Sequence, residues 1–174
     1  GPIRDCVDPT GNLYVADNLV GEVTDDTSQM YEMALAIIGS KGNFTVHDAA
    51  KALVEWSEKY PKYYPRNAGP TKRCVIEELK AGKDPVELGR MGGTFERGTS
   101  NGAAMRIAPA GVLYPGNLDK TIEVAITMTQ PSHGTQHAYS GACAIACGIS
   151  EALTEDADLY SITKACLYGA KRGE

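Results

Sequence analysis

Apolar residues along this chain recur three and four positions apart, in runs separated by Gly, Pro and small polar residues. That is the period of helices buried along one face. Met30, Met33, Ala34, Ile37 and Ile38 predict a helix from about Thr27 to Ser40. Thr45, followed three residues on by Asp48, reads as a variant of the capping box and starts a second helix. Its apolar face is Val46, Ala49, Ala50 and Leu53, and Pro61 bounds it. Tyr60 to Gly69 is a tyrosine- and proline-rich loop, after which Pro70 suits the first turn of a helix that Gly82 ends. Pro85 to Thr99 is glycine-rich and is expected to be irregular, mobile or facing a ligand. Further helices are expected over Ala103 to Leu113 and over Leu118 to Thr129, the latter stopped by Pro131. The longest runs from about Thr135 to Leu153. Its face of Ala138, Ala142, Ile145 and Ile149 is flanked by Ser140, Gly141, Ala144 and Gly148, small enough for close packing. Asp156 or Asp158 starts the last helix, expected to end near Gly169. The opening stretch to Val23, with its Leu13/Val15 alternation, is assigned mostly to loop. The pattern is all-α, without an internal repeat.

Length and composition narrow the class. At 174 residues the chain is long enough for one domain with a real core, spanning 1–174, and too short to suggest two. A hydrophobic fraction of 43% and a charged fraction of 22% are ordinary for a globular protein. A net charge of −5, with scattered Lys and Arg, argues against a nucleic-acid surface. No apolar stretch approaches the roughly 20 residues that span a bilayer, and no charged-then-apolar leader opens the chain. The five cysteines, Cys6, Cys74, Cys143, Cys147 and Cys166, are odd in number and include no Cys-x-x-Cys pair. Reduced, structural thiols in a cytoplasmic protein are therefore expected.

Three segments carry candidate chemistry. Thr24-Asp25-Asp26-Thr27 puts two carboxylates and two hydroxyls where a loop runs into a helix. Such oxygen ligands suit a hard divalent cation; equally, acidic residues there cap a helix against its dipole. Arg97 to Arg106 is a small-residue loop feeding a helix. Its exposed backbone N–H groups would cradle an anion, or it is simply a tight Asn-Gly turn. Pro131-Ser132-His133 opens the long helix, where a His can donate to a phosphate or ribose oxygen. His133 and His137 have zinc-like spacing, but the Glu of His-Glu-x-x-His and a third ligand are missing. His47 is read as solvent-facing.

Taken in order, these segments resemble the ADP-ribosylglycohydrolase family. Gly21 to Met30, around Thr24-Asp25-Asp26-Thr27, is similar to its first metal motif. Asn67-Ala68-Gly69-Pro70-Thr71 resembles a loop before one of its helices, and Ser100 to Arg106 its Asn-Gly-x-x-Met-Arg element. Ser132-His133 followed by Ala138 resembles its Thr-His-x-x-x-x-Ala element. The resemblance implies a compact, orthogonal all-α domain with two divalent ions, Mg²⁺ or Mn²⁺, in a cleft. It implies a hydrolase that removes ADP-ribose from modified protein side chains. Carried over, Thr24, Asp25 and Asp26 become metal ligands, with Asp25 and Asp26 catalytic through the ion. Gly98, Thr99, Ser100, Asn101, Gly102 and His133 become substrate-binding. The implied partner is an ADP-ribosylated protein or small ADP-ribosyl ligand, with neither nucleic acid nor membrane.

The chain departs from the family pattern at both ends. Members open with a Gly-Asp-Ala-Leu-Gly segment and an early Glu, whereas this sequence reads Gly1-Pro2-Ile3-Arg4-Asp5. Members also carry a later Asp-x-Asp-Thr motif; here the nearest acidic cluster, Glu155-Asp156-Ala157-Asp158, reads as a helix cap. The expectation is thus a domain truncated at both ends, holding half of a two-metal site and completed by missing parts of its own polypeptide. The competing expectation is a non-catalytic relative, structural like the crystallin-type members or merely binding ADP-ribose. A Ser or Cys nucleophile lacks any supporting Gly-x-Ser-x-Gly or Cys–His signature.

Overall fold

The computed structural model describes residues 5, 6, 8–12, 15, 17–89 and 98–174. Leu13, Arg97, the opening residues 1–4 and positions 90–97 of the glycine-rich stretch lie outside the described residues. Every regular element among those described is helical, as the periodicity predicts. None of these helices is long and apolar enough to cross a membrane.

Helix α1 (Asp25–Gly39) starts at the acidic cluster, and α2 (Val46–Lys59) begins with the predicted capping box, Thr45 and Asp48 each bonding the other's backbone N–H. The buried row of α1 differs from the expected apolar stripe. It is Asp25, Ser28, Gln29, Glu32, Met33 and Ile37, and Ile38 is 72% exposed. The reason lies in α2. Trp56 Nε1 donates to Ser28 Oγ at 2.8 Å and Lys59 Nζ to Glu32 at 2.7 Å, so polar residues in the first two turns have specific partners inside. Met33 and Ile37 then continue the row into the core.

Helix α3 (Pro70–Lys80) opens on Pro70 and is followed by Gly82 at φ +84, as expected. The stretch expected to be irregular instead begins with a short helix, α4 (Pro85–Gly89). Asp84 explains it: its side chain accepts the Val86 N–H at 2.7 Å, its carbonyl accepts the Leu88 N–H, and Leu88 is buried. The single helix expected over Ala103 to Leu113 is divided into a 3₁₀ turn (Ala104–Arg106) and α5 (Ala108–Leu113). Pro109 has no N–H to continue the first segment but suits the start of the second.

Helix α6 (Leu118–Thr129) is capped by Asn117, α7 (Gln136–Ala152) by Thr135 and α8 (Leu159–Gly173) by Asp158. Helix α7 is central, packing against α5, α6, α8 and the 3₁₀ turn. Its buried row, Ala138, Ala142, Cys143, Ala146 and Cys147, leaves Ile145 47% exposed, contrary to the predicted face. Helix α8 runs on past Gly169, the expected end. A Cβ at Gly169 would lie 2.3 Å from the Cys143 carbonyl oxygen, so this glycine permits close approach to α7 and does not end the helix. All five cysteines are free; burial pushes the Cys143 thiol up to about 12 and Cys147 to about 11, consistent with packing roles.

Candidate functional site

Four segments distant in sequence meet around one cavity of about 380 Å³. Its wall contains Asp25 at the start of α1, Asn67 and Gly69 to Lys72 at the start of α3, Gly98 to Gly102, and His133 before α7. The volume lies within the roughly 300–1,000 Å³ typical of small-molecule sites. Seven of the residues singled out in the sequence, Asp25, Gly98, Thr99, Ser100, Asn101, Gly102 and His133, line it together. Thr24 and Asp26 are not in its wall; they bond each other, Thr24 Oγ1 donating to Asp26 Oδ2 at 3.0 Å. His137 is exposed and lines a different cavity with Gln136 and Ser140, so the two histidines do not form one site. His47 is exposed, as expected.

Beneath the Gly98–Gly102 loop lies a buried polar chain. Arg106 is 0% exposed, and its guanidinium donates to the Gly102 carbonyl at 2.7 Å, the Met128 carbonyl at 3.4 Å and Ser132 Oγ at 2.6 Å. Its Nε is buried with no partner among the described residues. Arginine can only donate, so Ser132 Oγ accepts from it, and the same oxygen lies 2.8 Å from His133 Nδ1. On the other side of the ring, His133 Nε2 lies 3.1 Å from Ser100 Oγ, so both ring nitrogens are hydrogen-bonded. Burial, reinforced by the Arg106 and Lys72 charges, pulls His133 down to about 3, so at neutral pH it is an uncharged hydrogen-bonding group. Burial also lowers Arg106 to about 10, leaving it protonated. The loop rests on this chain: a Cβ at Gly102 would stand 2.8 Å from the His133 ring.

The other wall holds an ion pair. Lys72 Nζ lies 3.1 Å from Asp25 Oδ2 and 5.5 Å from the Trp56 ring centroid. Gln29 Nε2 approaches the same carboxylate oxygen at 3.4 Å. Lys72 is only 4% exposed; desolvation and the Arg106 charge lower its pKa, and Asp25 opposes the shift. The start of α3 has no side-chain cap, and its first residues, Pro70 to Lys72, line the cavity, which puts the positive end of the helix dipole at the wall.

Divalent ions are implied by the resemblance. Thr24, Asp25 and Asp26 are oxygen donors of the right chemistry, but an ammonium already stands at Asp25 and the Thr24 hydroxyl is spent on Asp26. Among the described residues no group of three or more His, Cys, Asp or Glu side chains is placed to hold a metal. These residues alone do not fit a divalent ion.

A family model described as ADP-ribosylglycohydrolase matches residues 1–172. The chain belongs to the ADP-ribosylglycohydrolase family. Among its relatives, the uncharacterized protein YegU of Escherichia coli K12 is 30% identical over 133 residues, covering 76% of this chain and 38% of that protein. An uncharacterized protein of Archaeoglobus fulgidus is 30% identical over 151 residues, covering 86% of this chain and 45% of the relative. The chain thus spans less than half the length of either.

Around this cavity, sequence reasoning missed Lys72, Trp56 and the Arg106–Ser132–His133 chain. Arg106 and Ser132 stood inside the quoted motifs, and their burial was the missing fact. Lys72 gave no signal, since a lysine one turn into a helix usually lies on the surface.

Proposed function

We propose that this chain is a single, partial ADP-ribosylglycohydrolase domain over 1–174, the ADP-ribose-holding portion of a cytoplasmic hydrolase that removes ADP-ribose from modified protein side chains. The observation that carries this reading is the convergence of four separated segments on one cavity lined by small polar residues and backbone. Backbone N–H groups of Gly98 to Gly102 and the start of α3 suit the diphosphate. Ser100 and Thr99 offer hydroxyls to a ribose, and Nε2 of the neutral His133 holds the Ser100 hydroxyl in register. Arg106 supports the loop from below without reaching the ligand. Two divalent ions, Mg²⁺ or Mn²⁺, would take Thr24, Asp25 and Asp26 as this chain's share of ligands, with the remainder from further polypeptide. Held by the completed ligand set, such ions would supply Lewis-acid polarisation of water and ribose hydroxyls.

A second reading, a non-catalytic ADP-ribose-binding or crystallin-like relative, is favoured by the lysine already paired with Asp25 and by the incomplete ligand set. Titration with ADP-ribose, followed by amide NMR, tests the site common to both. Signals from Gly98 to Gly102 and from His133 should shift together. Shifts elsewhere only, or none at millimolar ligand, overturn the assignment. Divalent-metal-dependent release of ADP-ribose from a modified peptide by the longer polypeptide would decide for the hydrolase, and its absence on every linkage tried for the binding relative.

A further inference from the structure

Three effects oppose the charge on Lys72 where it stands. It lies in the first turn of α3, where the helix dipole disfavours a cation. It is 4% exposed, and lysine is almost never buried unless it is paired. The buried Arg106 guanidinium adds repulsion. One carboxylate offsets these effects: Asp25 Oδ2 accepts from Lys72 Nζ at 3.1 Å, with the Trp56 ring centroid 5.5 Å away as a second support. An ammonium has three N–H groups to donate, and Asp25 is its one hydrogen-bond acceptor among the described residues. Asp25 itself does not depend on the lysine alone, since Gln29 Nε2 approaches the same oxygen at 3.4 Å. Asp25 and Lys72 both line the cavity that Gly98 to Gly102 also line. With His133 uncharged, Lys72 carries the single positive charge among the described residues of that wall.

We propose that Lys72 is the ligand-contacting cation of this cavity, its ammonium held on Asp25 and donating to a phosphate oxygen of the bound ligand. This rests on the reading of the cavity as an ADP-ribose site and adds the side chain that recognises the charge of the diphosphate. A phosphate oxygen supplies a second acceptor to the ammonium, and its negative charge relieves the repulsion from the dipole and from Arg106 together. Asp25 then acts in two directions. It keeps the ammonium in the wall, and as a negative charge beside the phosphate it weakens the binding. Asparagine at position 25 retains an oxygen acceptor for the ammonium without that repulsion, so it should tighten the hold on an anion. Loss of a purely structural ion pair would do the opposite.

The test is ADP-ribose binding to the 174-residue chain with a metal chelator present, read by calorimetry and by the amide NMR signals of Gly98 to Gly102. Lys72→Met should bind at least roughly tenfold more weakly than the wild type, having lost a charge-assisted hydrogen bond. Lys72→Arg, which keeps the charge, should recover most of that loss. Asp25→Asn should bind roughly threefold more tightly or better, because a like charge has been removed. If Lys72→Met folds poorly with Asp25 left unpaired, the Asp25→Asn/Lys72→Met double variant takes its place and should bind at least roughly tenfold more weakly than Asp25→Asn alone. Removal of Lys72 without loss of affinity overturns the proposal and leaves the ADP-ribose reading standing. Asp25→Asn binding no more tightly than the wild type also overturns it and marks the pair as structural. No shift at Gly98 to Gly102 in the wild type at millimolar ADP-ribose removes the reading itself, and the proposal with it.

Discussion

The α7–α8 pair and the corner where α1, α2 and α3 meet bury their helices by opposite means. Between α7 and α8 the contact is made by Ala, Cys and Gly, with Gly169 letting one backbone reach the other. At the α1–α3 corner the buried row includes Asp25, Ser28, Gln29, Glu32 and Lys72, each partnered by hydrogen bonds or ion pairs. The first arrangement needs only shape, and it tolerates no added volume. The second needs complementary polar groups at every position, and these are the groups that a charged ligand can address. The cavity opens at the polar corner.

Gly169→Leu should sharpen this contrast most. Its side chain would collide with the Cys143 carbonyl, which is backbone and cannot rotate away, so a loss of about 3 kcal/mol or more in urea unfolding is expected. A change below about 1 kcal/mol would show that α7 and α8 slide freely. Arg106→Ala should cost somewhat less, about 2–3 kcal/mol, because it strips charged hydrogen bonds from two carbonyls and Ser132. It should also shift the His133 and Gly102 NMR signals before any ligand is added. Undisturbed signals would mean that the polar chain does not support the loop.

Per pH unit, the smallest effect is a pH dependence. Unfolded, His133 takes a proton near pH 6.5; folded, it refuses one until about pH 3. Across that window the unfolded state binds more protons, so stability falls as pH drops, by at most about 1.4 kcal/mol per pH unit. Denaturant midpoints measured from pH 6.5 to pH 4 should show the slope, and His133→Asn should flatten it. An equal slope in the variant would place the acid sensitivity elsewhere.

The apolar half was the more legible in the sequence. Helix starts followed from Thr45, Pro70, Thr135 and Asp158, because capping is a local interaction encoded within four residues. The ordered motifs also brought seven site residues to one cavity. What remained hidden depended on partners distant in sequence. Ile38 and Ile145 obey the helical period yet face outward, since Trp56 and Lys59 draw a polar row of α1 inward and α8 needs only small residues on α7. Lys72 acquires its meaning from a carboxylate 47 positions earlier.

The chain between Gly89 and Gly98 starts and finishes against the same short stretch. A Cβ at Gly134 would fall 1.4 Å from the Gly89 carbonyl oxygen, and Thr135 Oγ1 donates to the Gly98 carbonyl at 2.7 Å. With both ends clamped to neighbouring residues, the length of what lies between them is decoupled from the position of Gly98 to Gly102. The two residues before α7 thus act as one staple on Gly89 and Gly98, so a side chain gained at Gly134 or a hydroxyl lost at Thr135 reaches the frame of the cavity directly.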